Sequence, residues 1–189
     1  GEVSLFDLVK ASMRHRPDYL VVGEVRGNEA YVLFQALATG HGGMCTMHAE
    51  SIGSAVKRLT QKPMDIAPAY IPLMNVIAVV QRVHLPKAGE MKAYRRMTSV
   101  EEIADYEKYK NAFGWKPATD TFASSVDKGV MLPNLAKKLG HTEQELLDEM
   151  KRRENVLKWM RSHHIRSYRD VAAIVAEYYA RPDEFYQKR

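Results

Sequence analysis

The chain has 189 residues, 46% of them hydrophobic and 27% charged, enough for a packed core in one ordinary domain or a domain with an appendage. No apolar run approaches the roughly 18–20 residues of a membrane helix, and the first residues, GEVSLFDLVKASMRHRP, lack the apolar core of a signal peptide. A single cysteine, Cys45, excludes a disulfide framework, and a net charge of +5 with a pI near 9.2 is a mild lean toward anionic partners.

Residues 4–14 read as a helix. Ser4 can cap it with Asp7 at the third helical position, and Leu5, Leu8, Val9 and Met13 share a face. Pro17 stops it. Residues 19–22, YLVV, have no polar alternation, which is how a strand buried on both faces reads. A second helix is expected over 28–39, closed by Gly40, then a strand over 43–48 and a helix over 51–59. Residues 76–83 form a third apolar strand, so strand, helix, strand, helix, strand points to an α/β layered domain. After Pro86 charge mixes with isolated aromatics, and two or three antiparallel edge strands are expected over 94–123. The spacing of Met97, Val100 and Ile103 would also suit a helix. From Met131 the pattern is helical. Pro133 opens a helix ended by Gly140, Thr142 and Glu145 form a capping box for a long one, and Ser167 with Asp170 opens the last.

The stretch PDYLVVGEVRG ends an apolar strand on Gly23 and Glu24. In open α/β sheets ligands bind beyond the carboxyl ends of the strands. A carboxylate there suits a general base or a magnesium-linked position, and Gly23 leaves room for something bulky. A carboxylate that merely meets a helix N-terminus or a surface arginine is the plainer alternative. The next strand carries TGHGGMCTMHA. Side chains alternate along it, so Met44, Thr46 and His48 point one way and Cys45 and Met47 the other. A zinc site from His41, Cys45 and His48 is therefore poor. His48 falls at the same edge as Glu24, where it can bond a phosphate oxygen, with Arg14, Arg16 and Arg26 nearby as phosphate-binding candidates. Solvated helix ends are the plainer reading of Arg14 and Arg16.

On these motifs the chain resembles the second half of the motor core of the secretion ATPase superfamily, which serves type II and type IV secretion, type IV pili and archaeal surface filaments. LVVGEVRG resembles its Walker B segment, with glycine in the usual aspartate place, and TGHGGMCTMHA resembles its histidine box. The match is most specific over residues 5–59, and RHRPDYLVVGEVRGNEA with the helical tail resembles the archaeal branch. The resemblance implies a partial RecA-like three-layer core with a mixed sheet over 1–125 and a small all-α appendage over 126–189. It implies catalytic roles for Glu24 and His48. Glu24 would polarise water or act through the shell of a magnesium ion, and His48 would touch the terminal phosphate of ATP. Gly23, Arg14, Arg26 and His41 would belong to the nucleotide site, with an arginine acting within one subunit or across a boundary. It further implies a homo-hexamer at the cytoplasmic face of a membrane, associated peripherally through a membrane platform protein.

A P-loop needs Gly-x-x-x-x-Gly-Lys-Ser/Thr, and this sequence has no Gly-Lys pair. The family's acidic box and N-terminal domain are not matched either. The simplest expectation is the C-terminal piece of a longer ATPase, inactive alone. The alternative function rests on the tail, where NLAKKLGHTEQELLDEMKRRE resembles a helix-turn-helix. Twelve Lys and Arg against nine Asp and Glu from Val130 onward is weak charge for nucleic acid, with Lys151, Arg152 and Arg153 its densest cluster, so a packing or protein-interaction module on an α/β scaffold is the other form of that reading.

Overall fold

The computed structural model describes residues 2–87 and 89–187, which omits the outer limits, Gly1 and Arg189, of the two expected domains. The chain is α/β with a helical C-terminal part, and it divides into two compact units, Gly1–Met131 and Leu132–Arg189.

In the first unit α1 is Leu5–Met13, β1 Tyr19–Val22, α2 Glu29–Ala38, β2 Gly42–Cys45 and α3 Ile52–Thr60. The capping box of α1 is formed: Ser4 Oγ accepts the Asp7 N–H (3.2 Å) and the Asp7 carboxylate accepts the Ser4 N–H (3.1 Å). A 3-10 segment, Pro68–Met74, leads into β3, Val76–Lys87, which is followed by β4, Glu90–Asp105, β5, Lys108–Lys116, and β6, Thr121–Ser124.

These strands fall in two sheets. β1 and β2 run parallel, with Tyr19 opposite Gly42 and Val22 opposite Cys45. β3 does not join them. It pairs antiparallel with β4 in a four-stranded sheet ordered β3-β4-β5-β6, because a short hairpin closes that pairing while a long excursion separates β3 from β2. The antiparallel strands expected after Pro86 are present, and the Met97, Val100 and Ile103 segment is strand rather than helix. β4 is an inner strand, and β3 and β6 form the edges.

One apolar cluster serves both sheets. Leu20 and Val22 meet Val9 of α1, Leu33 and Phe34 of α2, Val56 and Leu59 of α3, and Ile103 of β4. Burying side chains of this size contributes about 1.5–3 kcal/mol each before entropy is set against it. β1 is not buried on both faces as its composition suggests. Tyr19, Val21 and, on β2, Met44 are 65%, 75% and 61% exposed, because the helices cover one side of this pair and no described residue covers the other. The pair is close enough that a Cβ on Gly42 would stand 2.6 Å from the Tyr19 ring and 3.1 Å from the Asp18 carbonyl, so any larger residue there would have to displace the Tyr19 ring.

In the second unit α4 is Met131–Leu139, its first residue still belonging to the first unit, α5 Glu143–Ser162, α6 Tyr168–Ala180 and α7 Pro182–Gln187. The capping box of α5 is formed by Thr142 and Glu145. Val156 and Met160 of α5 pack with Ile174 and Tyr178 of α6 and with Phe185 of α7, a helix the sequence pattern did not suggest.

Candidate functional site at the carboxyl ends of the parallel strands

The parallel pair continues past its regular strands. The Val25 N–H donates to the Thr46 carbonyl (2.9 Å), and the Thr46 hydroxyl donates to the Gly23 carbonyl. The peptide carrying Glu24 is therefore tied on both sides to the segment that leads to His48. Val25 anchors it further, with its side chain 1% exposed in the core. Glu24 is half-exposed, and Gly23 leaves open space, with no atom within 4 Å of where a Cβ would stand.

This arrangement brings Glu24 and His48 together. Glu24 Oε1 lies 3.8 Å from His48 Nε2, with the side chains 39% and 90% exposed. An exposed pair at that separation stabilises the fold by well under about 1 kcal/mol. The cost of parting them is correspondingly small, so a ligand group can enter between them. The backbone at His48 is held from α3, where the Arg58 guanidinium donates to the His48 carbonyl.

The other expected residues are distributed as follows. Arg26 is exposed in the turn that follows Glu24. His41 precedes β2, at the opposite end of the pair. Its Nδ1 lies 3.2 Å from both the Thr39 hydroxyl and the Ala36 carbonyl, which ties it to the C-terminal end of α2. Arg14 and Arg16 are exposed between α1 and the start of β1, also at that opposite end. The structure does not bring these three to Glu24. Cys45, expected to turn toward the opposite layer, is exposed, while Met47 packs against the core.

Sequence reasoning missed Glu29, the first residue of α2 and 8% exposed. Its Oε1 accepts the Arg26 N–H (2.7 Å) and the Gly27 N–H (2.8 Å). Burial alone would raise its pKa. Hydrogen bonds from the backbone N–H groups of Arg26, Glu29 itself and Gly27, with the Arg26 charge, outweigh burial and hold the carboxyl below the usual range. The signal available was a carboxylate two residues after the glycine of RGNEA, at a helix start where anions are favoured. In the tail, the three cations of the dense cluster each have a carboxylate partner: Lys151 with Glu154 (2.8 Å), Arg152 with Asp183 (3.0 Å) and Arg153 with Glu149 (2.7 Å).

Comparison with known proteins covers both the site and most of the tail. The family described as type II/IV secretion system protein matches residues 1–170. An uncharacterised protein of Methanocaldococcus jannaschii is 37% identical over 163 residues, covering 83% of this chain and 58% of its own length. A second from the same organism is 32% identical over 192 residues, covering 95% of this chain and 33% of its own length. The type IV secretion system protein PtlH of Bordetella pertussis is 44% identical over 83 residues, covering 43% of this chain and 24% of its own length. The chain thus spans 58% and 33% of the two archaeal relatives. With 170 of its 189 residues inside the family's match, the chain belongs to the type II/IV secretion system protein family, the secretion ATPase superfamily.

Proposed function

We propose that this chain is part of a motor ATPase of the archaeal kind, which hydrolyses ATP to drive protein secretion or filament assembly. The observation that carries the reading is the Glu24–His48 pair at adjacent strand ends, 3.8 Å apart and open to solvent, inside the matched region. Glu24 takes the role of the group that polarises the attacking water, directly or through the magnesium shell. His48 donates to the terminal phosphate and so distinguishes ATP from ADP. Arg26, two residues past Glu24, supplies a cation on the same side. Arg14, at the far end of the pair, reads better as a contact to nucleotide held by a neighbouring subunit, in a homo-hexamer at the cytoplasmic face of a membrane platform.

The donor set fits one side of a magnesium–ATP complex. Glu24 and His48 can meet the γ-phosphate, its magnesium shell and the water. The backbone cradle for the β- and γ-phosphates has no counterpart in the sequence, which lacks a Gly-Lys pair. ATP bound with magnesium supplies the phosphoryl group that is transferred to water; this chain's residues orient that water and read the phosphate. We read the helical tail as a packing or assembly module, since the cations of its basic cluster are already paired.

The test compares two proteins. The purified 189-residue chain is expected to show no magnesium-dependent ATPase activity, and the longer protein that adds a P-loop is expected to show it. Robust hydrolysis by the chain alone would overturn the reading.

A further inference from the structure

Among the described residues of the first unit, two charged ones are buried, Glu29 and Glu102. Glu102 accepts the N–H groups of Val130 (2.6 Å) and Met131 (2.9 Å), which satisfies the start of a helix remote in sequence from the candidate site. Glu29 differs in what its bonds hold. Its two acceptor contacts fall on Arg26 and Gly27, the turn that joins Glu24 to α2.

The backbone around Glu24 is fixed by four hydrogen bonds, at Gly23, Val25, Arg26 and Gly27. Thr46 accepts from Val25 and donates to Gly23 on one side, and Glu29 accepts from Arg26 and Gly27 on the other. Gly27 fits this clamp closely, because a Cβ there would stand 2.9 Å from Glu29 Oε2. The Glu29 carboxyl is ionised at neutral pH, so both contacts are charge-assisted and stronger than neutral ones. A main-chain turn in water would hydrate these two N–H groups and sample other conformations. Here a buried anion selects one.

We propose that Glu29 is a positioning residue for Glu24: its carboxylate clamps the Arg26–Gly27 backbone and so fixes the direction in which the Glu24 carboxylate and the Arg26 guanidinium leave the strand end. The proposal rests on the reading of Glu24 as the water-polarising group. Displacing such a group by about 1 Å can cost on the order of 10²-fold in rate, so the clamp has a chemical consequence beyond stability.

The experiment uses Glu29→Ala and Glu29→Gln, with Gln retaining an acceptor oxygen in the same place. Amide hydrogen exchange is read on the 189-residue chain. In Glu29→Ala the Arg26 and Gly27 amides should exchange about tenfold to a hundredfold faster, as loss of a charge-assisted bond implies, while the Leu33 and Phe34 amides of α2 keep their protection. Glu29→Gln keeps an acceptor without the charge, so the Arg26 and Gly27 amides should exchange faster than in the parent but by less than in the alanine variant, which decides the matter if the alanine variant does not fold. Turnover is read on the longer, P-loop-bearing protein. There Glu29→Ala should lower kcat by about tenfold or more with KM little changed, and add nothing in a Glu24→Gln background, as for residues that act as a unit. Unchanged exchange at Arg26 and Gly27 would sink the clamp. Additive losses would sink its action through Glu24. Intact turnover in Glu24→Gln alone would remove the reading on which the proposal rests and leave the clamp a structural feature.

Discussion

The candidate site and the long strands of the first unit fall on different sheets. The parallel pair has strands of four residues each, and both candidate catalytic groups lie just past its carboxyl ends. The antiparallel sheet has strands of up to 16 residues and carries none of the candidate site residues. An isolated two-stranded pair is marginal in water. This one is held from outside, by the helices that bury Leu20 and Val22 and by the side-chain contacts of Thr46, Glu29 and Arg58 at its ends. The larger sheet is held by its own ladder and by a cross-strand cluster, where Arg96 donates twice to Asp120 (2.7 Å each) and Trp115 Nε1 donates once (2.9 Å). The candidate site and the longest strand ladder thus lie on different strands. Substitutions at Glu24 and His48, past the ends of the small pair, should change the reaction with little change in stability, and substitutions in the large sheet should do the reverse.

The strongest break in that division is Glu24→Gln in the longer, P-loop-bearing protein. Glutamine keeps the size and the hydrogen-bonding capacity and removes charge and basicity. Turnover should fall by a factor on the order of 10² or more with ATP still bound. The melting temperature should hold, because the Glu24–His48 contact is exposed and weak. A variant with intact turnover would make Glu24 structural and leave the small pair without a chemical role.

His48→Ala comes next in size. The imidazole is 90% exposed and fills no core, so removing it should not lower the melting temperature. If it touches the terminal phosphate, ADP binding is retained and the preference for ATP falls about tenfold to a hundredfold, since a hydrogen bond to a charged group contributes roughly 1.5–3 kcal/mol. Titration of both nucleotides against the folded variant measures this. An unchanged ATP/ADP ratio would reduce His48 to a surface histidine.

How much of this was legible in the sequence follows from the range of the forces involved. The capping boxes of α1 and α5 were readable because Ser4 with Asp7 and Thr142 with Glu145 act within one turn. Glu24 and His48 were readable because strand periodicity and the carboxyl-end rule place both at one edge. The exposure of Tyr19 and Val21 was not readable, since an unbroken apolar run states what a strand could bury and not what covers it. The separation of β3 from β1 and β2 depends on which partner lies nearest along the chain, a topological matter that apolar composition does not encode. The clamp by Glu29 was hidden for another reason. A carboxylate at a helix start reads as ordinary dipole compensation until its bonds are seen to reach back into the turn.

The smallest expected effect on turnover belongs to Asp120, and it tests the division from the scaffold side. The Arg96 hydrogen bonds first, then the Trp115 N–H and the Arg96 charge, lower the Asp120 pKa from 3.8 to about 2. A carboxylate depressed in the folded state stabilises that state above its unfolded pKa. Its contribution is therefore full above pH 3.8 and is lost as the pH falls toward about 2. In Asp120→Asn the amide oxygen can still accept from Trp115 but carries no charge to pair with Arg96. Urea unfolding followed by Trp115 fluorescence, in a Trp159→Phe background, should show a shallower loss of stability across that acid range than the parent. Turnover of the longer protein at neutral pH should stay within about twofold of the parent, because surface substitutions away from a site usually change little. An identical acid profile would mean that the Arg96–Asp120–Trp115 cluster does not hold the sheet. A turnover loss as large as that of Glu24→Gln would mean that the large sheet controls the strand ends after all.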